Sequence, residues 1–230
     1  MSIKIGVPNR GRLGELACYL IGDLKEDNEI KQRKLLLNYD DEIEIVFLRS
    51  TDIPKMIEKN IIQAGITGND YFIESNSDII ELKNLNLLSG SLCILSKRTS
   101  KLNSFSDIVK NDKLICYSQY YNFSKYCFKD LTNMSIEKID GSAEVYLTMN
   151  NCDVILDVVS SGITYLANEL KVIESIIPVS SFLYANKEFV QNNFNLLNKT
   201  CLKLFGFSLN ENEIGKKSSK DIIEEWINRE

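Results

Sequence analysis

Asp157-Val158-Val159-Ser160-Ser161-Gly162-Ile163-Thr164 holds the residue types that could grip a phosphorylated sugar. The run follows the apolar, strand-like Val154-Ile155-Leu156 and leads into Tyr165-Leu166-Ala167-Asn168-Glu169-Leu170, which reads as a helix. Backbone N–H groups at such a turn converge on an anion, and small side chains leave room for it. Ser160, Ser161 and Thr164 add three hydroxyls, and Gly162 leaves the backbone unencumbered. Asp157 is expected at the carboxyl end of the strand, where a carboxylate accepts from ribose hydroxyls or orients a hydrated Mg2+. The plainer alternative is a turn whose Ser and Thr only cap the following helix.

The chain contains no histidine. Ser-His-Asp and Cys-His nucleophile pairs, His-ligated zinc and imidazole acid–base catalysis are therefore excluded. Any chemistry runs on carboxylates, Lys, Arg, hydroxyls, thiols and bound cations, which suits group transfer by positioning and charge stabilisation. The 230 residues are 44% hydrophobic, enough for a sizeable core without staples. A formal charge of -5, with Lys and Arg spread along the chain, argues against a nucleic-acid partner. Six dispersed cysteines without a CxxC pair suggest buried reduced thiols. No apolar run approaches the roughly 20 residues of a membrane span, and the start lacks the pattern of a secretion signal. A cytoplasmic location is expected.

Apolar runs alternate with amphipathic ones. Strands are expected at 3–7, 43–48, 64–67, 92–95, 114–117, 136–139 and 154–156. Helices are expected at 14–24, 52–60, 70–74, 104–109, 123–131, 143–149 and 164–170. The alternation predicts an α/β protein with largely parallel sheets. The polar segment 97–102 is expected to cross into a second half, and the chain to return after Pro178. That gives a discontinuous first domain, 1–96 plus 178–230, and a second, 97–177, carrying the phosphate loop. The spacing of Phe189, Phe194, Leu197, Cys201 and Leu204 suits a long helix. Beyond it lies a polar tail, with Trp226 in a last short helix.

Several further motifs follow in order: Pro8-Asn9-Arg10-Gly11-Arg12-Leu13, then Arg33, Arg49, Asp52-Ile53-Pro54 and Glu58. Gly65-Ile66-Thr67-Gly68-Asn69-Asp70 with Glu74 comes next, then Tyr120-Tyr121-Asn122-Phe123 with Lys125 and Tyr126. Gly141-Ser142-Ala143-Glu144, Asp153, the 157–164 loop and Ala167-Asn168-Glu169-Leu170 complete the series. Together they resemble the ATP phosphoribosyltransferase family over most of the chain.

The resemblance implies two periplasmic-binding-protein-like (type II) α/β domains with the active site in the cleft between them. It implies that N1 of ATP displaces pyrophosphate from C1 of phosphoribosyl pyrophosphate (PRPP), aided by Mg2+, in the first step of histidine biosynthesis. Asp157, Glu144 and Arg12 are then the expected catalytic residues. PRPP falls to Asp153, Asp157, Ser160, Ser161, Gly162, Ile163 and Thr164, and ATP to Arg12, Arg33, Arg49, Gly68 and Asp70. Asp157 is the candidate on the metal side, acting through the substrate. The resemblance is to the short form, which works with a regulatory subunit similar to histidyl-tRNA synthetase, as a homo- or hetero-oligomer.

Each residue also has a plainer reading. Asp52 and Asp70 could only cap helices, Glu144 could only complement a helix dipole, and the Tyr117–Tyr126 aromatics favour core packing over purine stacking. The chain departs from the family pattern at Asn9-Arg10, at Leu147 and at Asn150-Asn151-Cys152, and lacks a Cys-Arg pair around Gly90-Ser91-Leu92. A paralogue with another base acceptor and a non-catalytic two-domain binding protein stay open alternatives.

Overall fold

The computed structural model describes residues 2–22, 35–160, 165, 167–215, 221 and 224. They divide into two compact units. Unit 1 takes the chain up to Leu88 and again from Ser180, and unit 2 takes Ser89–Val179.

In unit 1, β1 (Ile3–Pro8), β3 (Ile43–Leu48) and β4 (Ala64–Gly68) run parallel. Short β2 (Leu36–Asn38) adds antiparallel to β3, and the second half of β9 (Leu170–Asn186) adds antiparallel to β4. The central strand β1 is buried at five of its six positions, and Lys4 is its one charged residue. Helix α1 (Gly11–Leu20) follows β1, α2 (Ile53–Glu58) follows β3, and α3 (Asn69–Ser75) follows β4. One core joins Ile5, Val7, Ile45 and Ile66 of the sheet to Leu13 and Ala17 of α1 and to Leu197, Cys201 and Leu204. Each large aliphatic side chain there contributes about 2 kcal/mol by leaving water.

The last three belong to the long helix expected near the end, which spans Lys187–Phe205. Asn186 starts it: Oδ1 accepts from Phe189 N at 2.9 Å while Nδ2 donates to Ile57 O at 3.0 Å. Gly206, at φ +72°, ends it. At the end of α2, Glu58 accepts from Asp78 N at 2.8 Å and from Lys55 Nζ at 3.0 Å. The backbone bond first, and Lys55 second, hold its carboxyl below the ordinary 4.5. A depressed carboxylate stabilises the fold above 4.5 and loses that contribution as pH falls through its folded value. Glu58→Gln should therefore flatten the acid limb of a melting-temperature profile between pH 7 and about 3, where the parent falls more steeply.

In unit 2, β6 (Leu114–Ser118), β7 (Met134–Lys138) and β8 (Val154–Val159) run parallel, and the second half of β5 (Ile79–Lys97) lies antiparallel to β8. Helix α4 (Phe105–Lys110) starts on a capping box in which Asp107 accepts from Ser104 N at 3.0 Å. Helices α5 (Tyr121–Cys127) and α6 (Ala143–Thr148) follow β6 and β7. Cys93, Leu95, Ala143, Leu147, Ile155 and Leu170 form the core between α6 and the sheet.

The route between the units differs from expectation. Strands carry it: β5 runs unbroken for 19 residues and β9 for 17. The segment 97–102 lies inside unit 2, where Lys97 Nζ donates to Thr148 O at 2.9 Å and Lys171 Nζ to Ser100 O at 2.7 Å. Its polarity serves backbone carbonyls rather than a linker. Leu170, expected to end a helix, instead opens β9, because Glu169 turns the chain at φ +55°.

Candidate active site

Three parallel strands of unit 2 deliver their carboxyl ends to one edge, at Ser118, Lys138 and Val159. Ligands of open α/β sheets bind at such an edge. Asp157 is half-buried and lies two residues inside β8 rather than at its end, paired with Cys93 of β5. Its Oδ1 accepts from Val158 N at 2.7 Å. Ser160 follows, exposed. Beneath it, a side-chain carbon at Gly90 would lie 2.8 Å from Val159 O and 3.3 Å from Ser160 Cα, so only glycine lets β5 pass that close to the loop. Tyr165 and Ala167 are helical beyond it. Ser161, Gly162, Ile163 and Thr164 lie outside the described residues, as do Arg33 and Trp226.

Glu144, half-buried, is the second residue of α6 and reaches this same edge through the Gly141-Ser142 turn. Asp153 does not. It precedes β8 at the opposite edge, about 20 Å of strand from Ser160, and its Oδ2 accepts from Ile115 N at 2.9 Å to close the start of β6. The aromatics divide: Tyr120 and Phe123 are core, Tyr117 packs on Tyr146 with ring centroids 4.7 Å apart, and Lys125 Nζ sits 4.0 Å over the Tyr121 ring.

In unit 1 the parallel strands likewise end at one edge. Arg10 and Arg12 are exposed at the start of α1, on either side of Gly11, and Arg49 is exposed just past β3. Thr67, wholly buried, donates from Oγ1 to Ser50 O at 3.0 Å and so fixes the turn behind Arg49. Gly68 caps α3, and the buried Asp70 carboxylate fills the space over it. Asn69 Oδ1 accepts from Ser180 N at 2.9 Å, tying the same turn to β9. Asp52 occupies the N-cap position of α2, but at φ -90° and ψ -24° it makes no side-chain capping bond. Its N–H donates to Arg49 O at 2.9 Å instead, closing the turn.

Burial, the largest cause in each case, pushes the Cys152 thiol up to about 11 and the Cys201 thiol to about 12, and raises Cys116 and Cys127 as well. These thiols stay protonated near neutral pH, which removes them as nucleophiles. Among the described residues no three His, Cys, Asp or Glu side chains converge on a cation position. An open pocket of about 720 Å³ lies along α6 between Lys138 and Met149, and neither Asp157 nor Ser160 lines it. Ser118 has no place in the sequence reading, and Thr67 and Gly90 enter it only inside longer motifs with no role of their own; their signal is a small residue where an apolar run meets a turn.

A family model described as HisG, ATP phosphoribosyltransferase, matches residues 49–206. The chain belongs to the ATP phosphoribosyltransferase family. It is thus a phosphoribosyltransferase of the first step of histidine biosynthesis. ATP phosphoribosyltransferases of Sulfurisphaera tokodaii and Saccharolobus solfataricus are each 31% identical to it, over 83% and 84% of this chain and 67% of each relative. The transferase chain therefore spans about two-thirds of their length. The structure of the ATP phosphoribosyl transferase (HisG:HisZ) complex from Thermotoga maritima superposes with a TM-score of 0.74 at 16% identity, covering 97% of this chain and 98% of that one. The periplasmic aliphatic sulphonate binding protein SsuA from Escherichia coli follows at 0.56 and 13%, covering 88% of this chain and 67% of that one. Both likenesses place the transferase in the type II periplasmic-binding-protein-like α/β fold. No helix among its described residues is long and apolar enough to cross a membrane.

Proposed function

We propose that unit 2 holds PRPP and unit 1 the adenine nucleotide. The observation that carries this is the gathering of Asp157, Ser160 and the Gly141–Glu144 turn at the carboxyl edge of three parallel strands, with Gly90 leaving room beneath Ser160. The 160–164 loop receives the 5-phosphate with its amides and hydroxyls. Asp157 accepts from the ribose hydroxyls, fixing C1 of the sugar, and Glu144 faces the same ring from α6. Arg12 and Arg49 meet the polyphosphates, where planar forked donors match phosphate oxygens.

In the reaction the lone pair of ATP N1 forms the bond to C1 while the C1–oxygen bond breaks, its electron pair leaving on pyrophosphate. N1 has no proton to lose, so the site needs no strong general base and a chain without histidine suffices. Negative charge grows on the leaving group, and the guanidinium groups neutralise it as it develops. Asp157, with Glu144 on the neighbouring turn, would face a Mg2+ bound to the pyrophosphate, since among the described residues no three such side chains converge to hold the ion by themselves. Bound there, Mg2+ supplies further charge neutralisation to the leaving group. Asp153 takes no part in this reading, since it closes the far edge of the sheet.

The Thermotoga maritima relative is a two-component complex. By the same reading this transferase acts in the cytoplasm with a regulatory subunit of that kind, one resembling histidyl-tRNA synthetase. The test is pyrophosphate release from PRPP and Mg2+ with ATP, AMP or free bases, with and without that subunit. Release with ATP alone is expected. Release with another acceptor and not with ATP would overturn the assignment of unit 1.

A further inference from the structure

Ser118 ends β6 wholly buried, yet its hydroxyl is engaged on both sides. Oγ donates to Leu156 O at 2.6 Å and accepts from Tyr120 N at 2.9 Å. Its carbonyl accepts from Ile139 N at 3.2 Å. A second buried serine, Ser124, holds the other side of the Tyr120 peptide, donating to Tyr120 O at 2.7 Å. One residue at the end of β6 thus meets three neighbouring elements: Leu156, within β8, is bonded to Asp157, Tyr120 begins the α5 turn, and Ile139, just past β7, leads to Gly141-Ser142 and Glu144.

The position of these bonds along the strands is informative. The β6–β8 ladder pairs Cys116 with Val154 and Tyr117 with Ile155, and the Ser118 hydroxyl takes the bond at the next level. A side chain spans the two strands where burial along β8 begins to fall, at the residue before Asp157. A buried hydroxyl is costly unless its hydrogen bonds are made, and here both are.

We propose that Ser118 is a positioning residue for PRPP: it sets the Leu156–Asp157 peptide, and through it the Asp157 carboxylate, relative to the Tyr120 and Gly141 turns. This rests on unit 2 being the PRPP half. A carboxylate left loose by an ångström costs about a hundredfold in rate. The loss must appear in kcat/KM for PRPP while KM for ATP stays in place, a split that simple loss of stability does not produce.

The experiment compares Ser118→Ala, Ser118→Thr and Ser118→Cys with Cys116→Ala, an equally buried position two residues earlier in β6. Steady-state kinetics, calorimetric PRPP binding and melting temperature are measured for each. Ser118→Ala is expected to lower kcat/KM for PRPP by about a hundredfold, and Ser118→Thr, which restores the hydroxyl, to recover most of it. Ser118→Cys keeps nearly the same volume with weaker hydrogen bonding, so it folds even where the alanine variant does not, and shows the same selective loss in smaller measure. Cys116→Ala lowers the melting temperature without that selectivity. Unchanged PRPP kinetics in both Ser118→Ala and Ser118→Cys, or losses that track melting temperature alike at both positions, would overturn the proposal. Asp157→Asn run alongside separates the two ideas: if it is inactive while the Ser118 variants are normal, only the positioning role fails. If it too is normal, the reading of unit 2 fails.

Discussion

Asp157→Asn is expected to lower kcat by about 10²- to 10³-fold at saturating PRPP, with circular dichroism and melting temperature near the parent's. The substitution keeps shape and keeps an oxygen able to accept from Val158 N, the 2.7 Å bond seen in the fold. It removes the negative charge. In the reading proposed above, a half-buried carboxylate two residues short of the edge where three strands end feels the sugar as positive charge develops at C1. An amide loses that stabilisation, and its N–H₂ also presents donors to hydroxyls that themselves need an acceptor. The change is made chiefly in the transition state, so it falls on kcat. A rate within about threefold of the parent would place the sugar elsewhere, since removal of one such electrostatic contact ordinarily costs far more.

Gly14→Ala is expected to destabilise unit 1 and to raise KM for ATP together. Two effects oppose each other at this position. Alanine favours a helix interior by about 1 kcal/mol over glycine. Its Cβ, however, would stand 2.7 Å from Pro8 O and 3.3 Å from Pro8 C, against backbone that cannot rotate away. Overpacking of this kind costs about 1–3 kcal/mol, and the contact is with the last residue of β1, from which the chain turns through Arg10 into α1 and Arg12, so the steric term wins. Relief requires α1 to lift from β1, which moves both guanidinium groups. Urea unfolding and ATP-dependent kinetics check it. A raised urea midpoint with normal KM would show that α1 does not sit on the end of β1 as closely as described.

The parts of the fold legible in the sequence are those whose environment is uniform along their length. β1, β3, β4, β6 and β8 are short parallel strands, and their apolar residues mark them within one to three residues. β5 and β9 are different. Burial along β5 passes from core to exposed and back to core, so neither a two-residue alternation nor a continuous apolar run appears, and only 92–95 reads as strand. β9 was missed for the same reason. The return to unit 1 expected after Pro178 takes place inside this strand, which continues through the proline.

The site divides in a similar way. Asp157, Ser160, Arg12 and Arg49 stand out by chemical type. Asp153 stands out equally, yet strand direction puts it at the wrong edge, and only three-dimensional order reveals that. Ser118 and Thr67 look like interruptions in apolar strands, because a buried hydroxyl is recognised by the carbonyl it meets and not by its neighbours in sequence. Asp52 shows the converse: residue type and position both suit a cap, but its backbone turns helical one residue too early for the side chain to reach.

The order in which the chain leaves the ribosome bears on the two units unequally. The core of unit 2 lies within one stretch, Ser89–Val179, and can close before the later part of unit 1 has emerged. Unit 1 is started first and finished last. Its β4 waits for a strand more than a hundred residues downstream, as Ala64 pairs with Ala185, and its core waits for Leu197 and Leu204. Until then an open edge and an apolar face stay uncovered on the nascent protein, which makes that half the one most dependent on chaperone protection during synthesis.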